Sequence, residues 1–253
     1  MTVKELYKEL DTRIPRALSC EWDNDGLMCC PDGDRQVKKV LVALDVTDKT
    51  IDAAIDGGYD LIVAHHPFIF KGLKSINDEN HVAENAIRII KNGISIFSFH
   101  TRLDAVEGGV NDTLATLLRL EDVCVFGEGN LGRIGYLSEE VSAEELAKRV
   151  KEALRADGVF LSDAGVPCKR IAVLGGGGDD FIASAIAAGA DAYISGELKY
   201  HSMTDAPQLG INLISAGHFH TENPVCAALC GMIQKISPDI KCDIFYSNRI
   251  RLI

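Results

Sequence analysis

The chain has 253 residues, 47% of them apolar and 25% charged, which suits one large domain or two small ones around a sizeable core. Its formal charge of −11 argues against non-specific nucleic-acid binding, because phosphates are repelled, although bound cations can reverse the sign locally for a phosphorylated ligand. The 8 cysteines show no CxxC pair and no disulfide-framework spacing, so buried free thiols in a cytoplasmic protein are expected. No apolar run approaches the roughly 18 residues of a membrane span, and the charged, helix-patterned start (Met1 to Leu6) is no signal peptide.

Apolar spacing predicts an opening helix over Val3 to Leu18, then a polar loop, Glu21 to Leu27, holding the only tryptophan, Trp22. A strand over Val37 to Leu44 leads into Asp45, and a helix over Thr50 to Asp56 is closed by Gly57-Gly58. The short apolar run Leu61 to Ala64 reads as a buried strand and leads into His65-His66-Pro67. A helix over Val82 to Lys91 and a strand over Ile94 to Phe99 lead into His100-Thr101-Arg102-Leu103-Asp104, and another helix covers Asn111 to Leu120. This alternation predicts a mostly parallel sheet covered on both faces, with His65, His66, His100 and Asp104 converging on one rim.

A second unit begins near the glycine-rich break Gly127 to Gly132. It has strands over Ile134 to Leu137, Arg170 to Leu174 and Ala192 to Ile194, with helices after Ser142 and over Phe181 to Ala188. The glycine run Gly175 to Gly178 matches no full phosphate-binding motif, and Asp179-Asp180 would repel phosphate; a tight turn with a close backbone approach is the favoured reading. Ile211 to Ser215 leads into Gly217-His218-Phe219-His220-Thr221-Glu222. Pro224 opens the last long helix, and Cys242 to Ser247 is the final strand.

All but His81 of the 7 histidines lie at or just past such strand ends. The candidate ligand set is His65, His66, Asp104, His218 and Glu222. Three imidazoles and two carboxylates suit zinc, iron, manganese or magnesium. The carboxylates offset half the charge of two divalent ions, and the remainder favours a bridging hydroxide as nucleophile. Glu222 is the candidate bridge. The bland alternatives are a strand-capping or exposed histidine at the HHP turn and a surface His–Glu pair at i,i+4. His100 and His220 read as acid–base groups, substrate contacts or partners of the ligands, or else as hydrogen-bonded structural histidines. Glu197 and His201 face the site or cap the next helix. Lys71 and Lys74 place positive charge near the HHP turn, as substrate contacts or as ordinary surface lysines.

At these residues the chain resembles the Nif-three-like family of dinuclear-metal-centre proteins, also known as GTP cyclohydrolase 1 type 2 homologues. The resemblance rests on WDNDG (Trp22 to Gly26), HHPFIF (His65 to Phe70), HTRLD (His100 to Asp104), GGVND (Gly108 to Asp112), SGE (Ser195 to Glu197) and GHFHTE (Gly217 to Glu222), in this order. It implies two similar α/β domains with the first completed by the C-terminal segment (1–127 plus 217–253 for the metal-binding domain, 128–216 for the second), two metal ions per chain on the same five ligands, and a toroidal homohexamer. Arg102 departs from the usual HTxLD pattern, and the chain has no room for the inserted domain of some relatives. The expected function is a metal-dependent hydrolase acting on a nucleotide-like or small heterocyclic ligand. The alternative is a non-catalytic hexameric scaffold, regulator or metal-delivery protein. The cyclohydrolase label transfers weakly, because no cysteine lies in these motifs.

Overall fold

The computed structural model describes residues 1–253, which divide into two compact units: 1–106 with 226–248, and 107–225 with 249–253. In the first unit α1 spans Val3–Arg13; Thr2 and Glu5 form a reciprocal capping box, and Val3, Leu6 and Leu10 are buried. The helix stops short of the expected Leu18. Ile14 precedes Pro15 and leaves the helical region at φ −121°, and a separate 3-10 turn covers Arg16–Leu18. There follow β1 (Gly26–Cys29), β2 (Lys39–Ala43), α2 (Asp48–Asp56), β3 (Leu61–Ala64), α3 (His81–Lys91), β4 (Ser95–Ser98) and the short α4 (Thr101–Ala105).

The second unit comprises α5 (Val110–Leu117), β5 (Glu121–Phe126), β6 (Gly132–Val141), α6 (Ala143–Leu154), β7 (Phe160–Ser162), β8 (Cys168–Gly177), α7 (Ile182–Ala187), β9 (Ala192–Glu197), α8 (Tyr200–Leu209), β10 (Asn212–Ser215) and α9 (His218–Glu222). The chain returns to the first unit as α10 (Val225–Ile236) and β11 (Lys241–Phe245).

The first sheet has the order β1-β4-β3-β2-β11, parallel throughout except that β1 runs against β4. β3 and β4 are buried at every position, as parallel strands covered on both faces must be. Ala43, Ala64 and Ser98 pair in register, so Asp45, His65-His66 and His100 leave the sheet on one rim. The core here gathers Leu41, Ile51, Ile62, Ile89 and Ile96.

The second sheet has the order β5-β6-β8-β9-β10-β7 and is mixed: β8, β9 and β10 are parallel and the other pairings antiparallel. Parallel pairings still predominate over the two sheets together. Successive residues of β8 feed two cores, Ile171 and Val173 on one face and Ala172 and Leu174 on the other. The glycines from Gly175 to Gly177 extend β8 rather than forming a loop.

The division of the chain differs from the expected one. Residues 107–127 and 217–225 belong to the second unit, because β5 pairs with β6, α5 packs on β6 and β8, and α9 packs on β8 and β9. The C-terminal completion of the first unit is present as β11 beside β2, although residues 249–253 fall in the second. All 8 cysteines are free; Cys168, Cys226 and Cys230 are buried and Cys124 is exposed. No helix is long and apolar enough to cross a membrane.

Candidate metal centre

On the rim of the first sheet three imidazoles meet. His65, His66 and His100 each offer a nitrogen within 4.8 Å of the others. Their ring centroids stand 4.9, 5.3 and 5.8 Å apart. Each ring is held at Nδ1 by an oxygen: His65 by the carbonyl of Phe99 at 2.9 Å, His66 by Asp45 Oδ1 at 2.7 Å, His100 by Asp23 Oδ1 at 2.8 Å. A carbonyl or carboxylate oxygen accepts only from an N–H, so the proton of each neutral ring sits on Nδ1 and the ligating lone pair on Nε2. This is the outer-partner arrangement typical of metal-bound histidine. Asp104, one turn into α4, brings Oδ1 to 3.7 Å from His65 Nε2. Imidazoles and a carboxylate with these anchors fit a borderline divalent ion.

The WDNDG loop builds this rim from below. Asp23 accepts from His100 Nδ1, from Thr101 N at 3.0 Å and from Thr101 Oγ1 at 2.6 Å. Burial alone raises the Asp23 carboxyl, but these hydrogen bonds outweigh it and hold the group at about 2. Asp25 Oδ2 accepts from His100 N at 3.2 Å and from Arg102 Nε at 2.8 Å. Arg102 is fully buried, pairs also with Asp11 at 2.6 Å, donates to the Ile14 carbonyl at 2.9 Å and lies over the Phe99 ring. The departure at Arg102 is therefore an internal anchor of the HTRLD turn: its charge is compensated by Asp11 and Asp25.

In the second unit, α9 starts at the strand end of β10 and carries His218 and Glu222 on one face. His218 Nε2 is 3.0 Å from Glu222 Oε2, and His218 Nδ1 is 3.4 Å from Glu197 Oε2 at the end of β9. Glu222 is buried, with the backbone of Gly175 and Gly176 packed against it. A Cβ on Gly176 would fall 2.1 Å from Glu222 Oε1, and its φ of +68° independently favours glycine. Close backbone approach is thus the use of the glycine run, and what approaches is a candidate ligand. Thr221 Oγ1 accepts from Gly176 N at 3.1 Å and fixes the same contact.

The other candidates spread out. His220 sits on the next step of α9 with its ring edge-on to Phe219 at 5.7 Å. His201 is an exposed residue of α8. Lys71 is exposed on the loop after HHPFIF and lines a cavity beside His66. Asp23 and Asp25 were missed as site residues. Their signal was two acids around an asparagine in an otherwise short loop, which alone reads as a turn.

A family model described as Duf34/NIF3 (NGG1p interacting factor 3) matches residues 1–251. A Clostridium perfringens protein named GTP cyclohydrolase 1 type 2 homolog is 32% identical over 251 residues, covering 96% of this chain and 94% of its own. A Clostridium acetobutylicum protein of the same name is 33% identical over 88% of this chain and 86% of its own. Among solved structures, a Bacillus cereus protein related to NIF3 superposes with a TM-score of 0.91 at 23% identity, covering 100% of this chain and 99% of that one, which shows a shared fold. Reduced HcgD from Methanocaldococcus jannaschii superposes with a TM-score of 0.83 at 28% identity over 96% of this chain and 97% of its own. On the span of the family match and the order of its motifs, the chain belongs to the Duf34/NIF3 family.

Proposed function

We propose that the chain is a dinuclear divalent-metal protein and a metal-dependent hydrolase of a nucleotide-like or small heterocyclic substrate. His65, His66, Asp104, His218 and Glu222 would hold two divalent ions, of zinc, iron, manganese or magnesium, and Glu222 would be the ligand they share. The observation that carries this is the anchoring of Nδ1 at His65, His66 and His100, which puts the lone pair of each ring on Nε2, as a ligand atom at His65 and His66 and as an acid–base atom at His100. Bound divalent ions supply Lewis acidity and lower the pKa of water. The protein's own groups do the rest. His100, oriented by Asp23, moves a proton at Nε2 to or from the reacting centre, with His220 as the second candidate. Glu197 positions the His218 ring. The chain assembles with itself, as a hexamer by family likeness.

The cyclohydrolase name of the relatives supports hydrolysis of a ring or amide-like bond as the reaction class, not a particular substrate. The experiment is metal analysis after reconstitution with manganese, iron and zinc in turn, followed by a screen against nucleotides, phosphoesters and cyclic amides. About two ions per chain and product release that disappears in Asp104→Asn support the reading. One ion at most removes the paired site. Full occupancy without turnover of any probe leaves the metal-holding scaffold instead.

A further inference from the structure

Two large aromatic side chains stand out in solvent beside the imidazole cluster of the first unit. Trp22 is 64% exposed and Phe70 49% exposed. Their rings are 6.2 Å apart, and each lies edge-on to His100, at 6.0 and 6.3 Å. They come from different loops, WDNDG and HHPFIF, which are tied together by a hydrogen bond from the Asn24 side chain to the Ile69 carbonyl. An exposed aromatic pair held in place by a polar tie is a pre-formed apolar surface rather than a leftover of packing.

Phe70 is also a wall of a cavity of 1270 Å³, room enough for a nucleotide-sized molecule. His66 lies at the same cavity, and Lys71 and Lys74 line it. Arg88, on the same wall, is committed to Asp52 and Asn85. Asp45 is committed to His66 and Ser247. Asp48 and Glu84 sit in the first turns of α2 and α3, where helix N-termini offset their charge. Lys71 and Lys74 enter no ion pair and are the cationic feature of this wall.

Building on the hydrolase reading, we propose that this cavity binds a flat heteroaromatic ring bearing a phosphate-type anion. The ring lies against Phe70, with Trp22 behind it and His66 and His100 at its edge. Lys71 and Lys74 hold the anion. Phe70 and Trp22 thereby select for a ring, and the lysine pair for its charge, whatever bond is cleaved.

Trp22 is the only tryptophan, so its fluorescence reports on this surface alone. The test titrates the full chain, metal-reconstituted and chelator-stripped, with guanosine monophosphate, guanosine and ribose 5-phosphate, backed by equilibrium dialysis. Guanosine monophosphate should quench Trp22 and bind about tenfold more tightly than either fragment. Phe70→Leu, which keeps an apolar side chain and loses the ring, should weaken both ring-bearing probes about tenfold and leave metal content unchanged. Lys71→Gln with Lys74→Gln should bring guanosine monophosphate down to guanosine and leave guanosine unaffected. The proposal is overturned if guanosine monophosphate neither quenches nor binds at millimolar concentration in both metal states. It is overturned equally if Phe70→Leu binds like wild type, or if the lysine double variant keeps the preference for the monophosphate. Lost metal occupancy with these affinities intact would instead count against the metal reading and leave the ring-and-anion pocket standing.

Discussion

The two units prepare their candidate ligands by different means. On the first sheet, each imidazole is aimed by a hydrogen bond from outside its own strand: Phe99 O for His65, Asp45 for His66, Asp23 for His100. In the second unit, Glu222 is placed by shape, with the bare backbone of Gly176 filling the space a side chain would take. The first means tolerates small movements, because a hydrogen bond bends before it breaks. The second does not, because an added methyl group must push the Glu222 carboxylate out of its place. The difference teaches where each half is fragile: the first in its buried charges, the second in its backbone.

The largest effect should come from the charges. Arg102→Ala takes from buried Asp25 its 2.8 Å partner and leaves it only the half-exposed Arg16 at 3.5 Å, and the expected loss is about 3 kcal/mol or more, read by urea denaturation. A loss below about 1 kcal/mol would mean that Arg16 or entering water compensates Asp25, and the first unit is not charge-fragile.

Next comes the backbone. Gly176→Ala carries a left-handed φ and a Cβ that must push the Glu222 carboxylate aside, and about 1–3 kcal/mol of stability should go with it. Gly177→Ala, where an added Cβ meets nothing, is the control. Equal behaviour of the two variants would refute placement of Glu222 by shape.

Asp23→Asn should cost about 1–3 kcal/mol near neutral pH, because the anchor of His100 and Thr101 is weakened. The sign with pH follows from the depressed Asp23 carboxyl, about 2 against an ordinary 3.8. Its contribution is fully present above the unfolded value and is lost as pH falls through the folded one. The wild-type advantage over Asp23→Asn in chelator-stripped protein should therefore hold above about pH 4 and fade towards pH 2. An advantage that is flat with pH would show that Asp23 acts by packing alone.

The smallest structural effect, and the sharpest for function, is in metal content. His218→Ala and Glu222→Gln should each lower occupancy, Glu222→Gln the more, whereas His100→Ala and His220→Ala should keep both ions. Elemental analysis with circular dichroism as the folding control reads all four. Because His100 meets His65 and His66 so closely, loss of an ion in His100→Ala would move it into the ligand set.

The strand-end ligands were legible because each follows a short, continuous apolar run, and in-register parallel pairing brings such run ends together. The partners that aim them were not. Asp23 and Asp25 act on residues 75 to 78 positions away, and no local pattern encodes that distance. Arg102 carries a charge that ordinarily signals a surface, yet here it is the largest fully buried side chain. β5 escaped notice although Val123 to Phe126 are apolar, because the run is short, follows the acidic pair Glu121-Asp122 and abuts the glycine-rich break at Gly127. β1 was hidden by the polar WDNDG loop that leads into it, and α9 by its length of 5 residues.

The pairing of β11 with β2 has a consequence in time. Lys39–Ala43 meets its outer neighbour only when Lys241–Phe245 has been made, with Glu107–Val225 of the second unit synthesised in between. At roughly 5–20 residues per second, a ribosome leaves that edge of β2 open for on the order of ten seconds or more. During that interval an apolar strand, Val40 to Ala43, has an unfilled side and invites the wrong neighbour. The sheet begun first thus waits for most of the second unit to be made, and its imidazole rim rests on a sheet whose outermost strand is among the late segments translated.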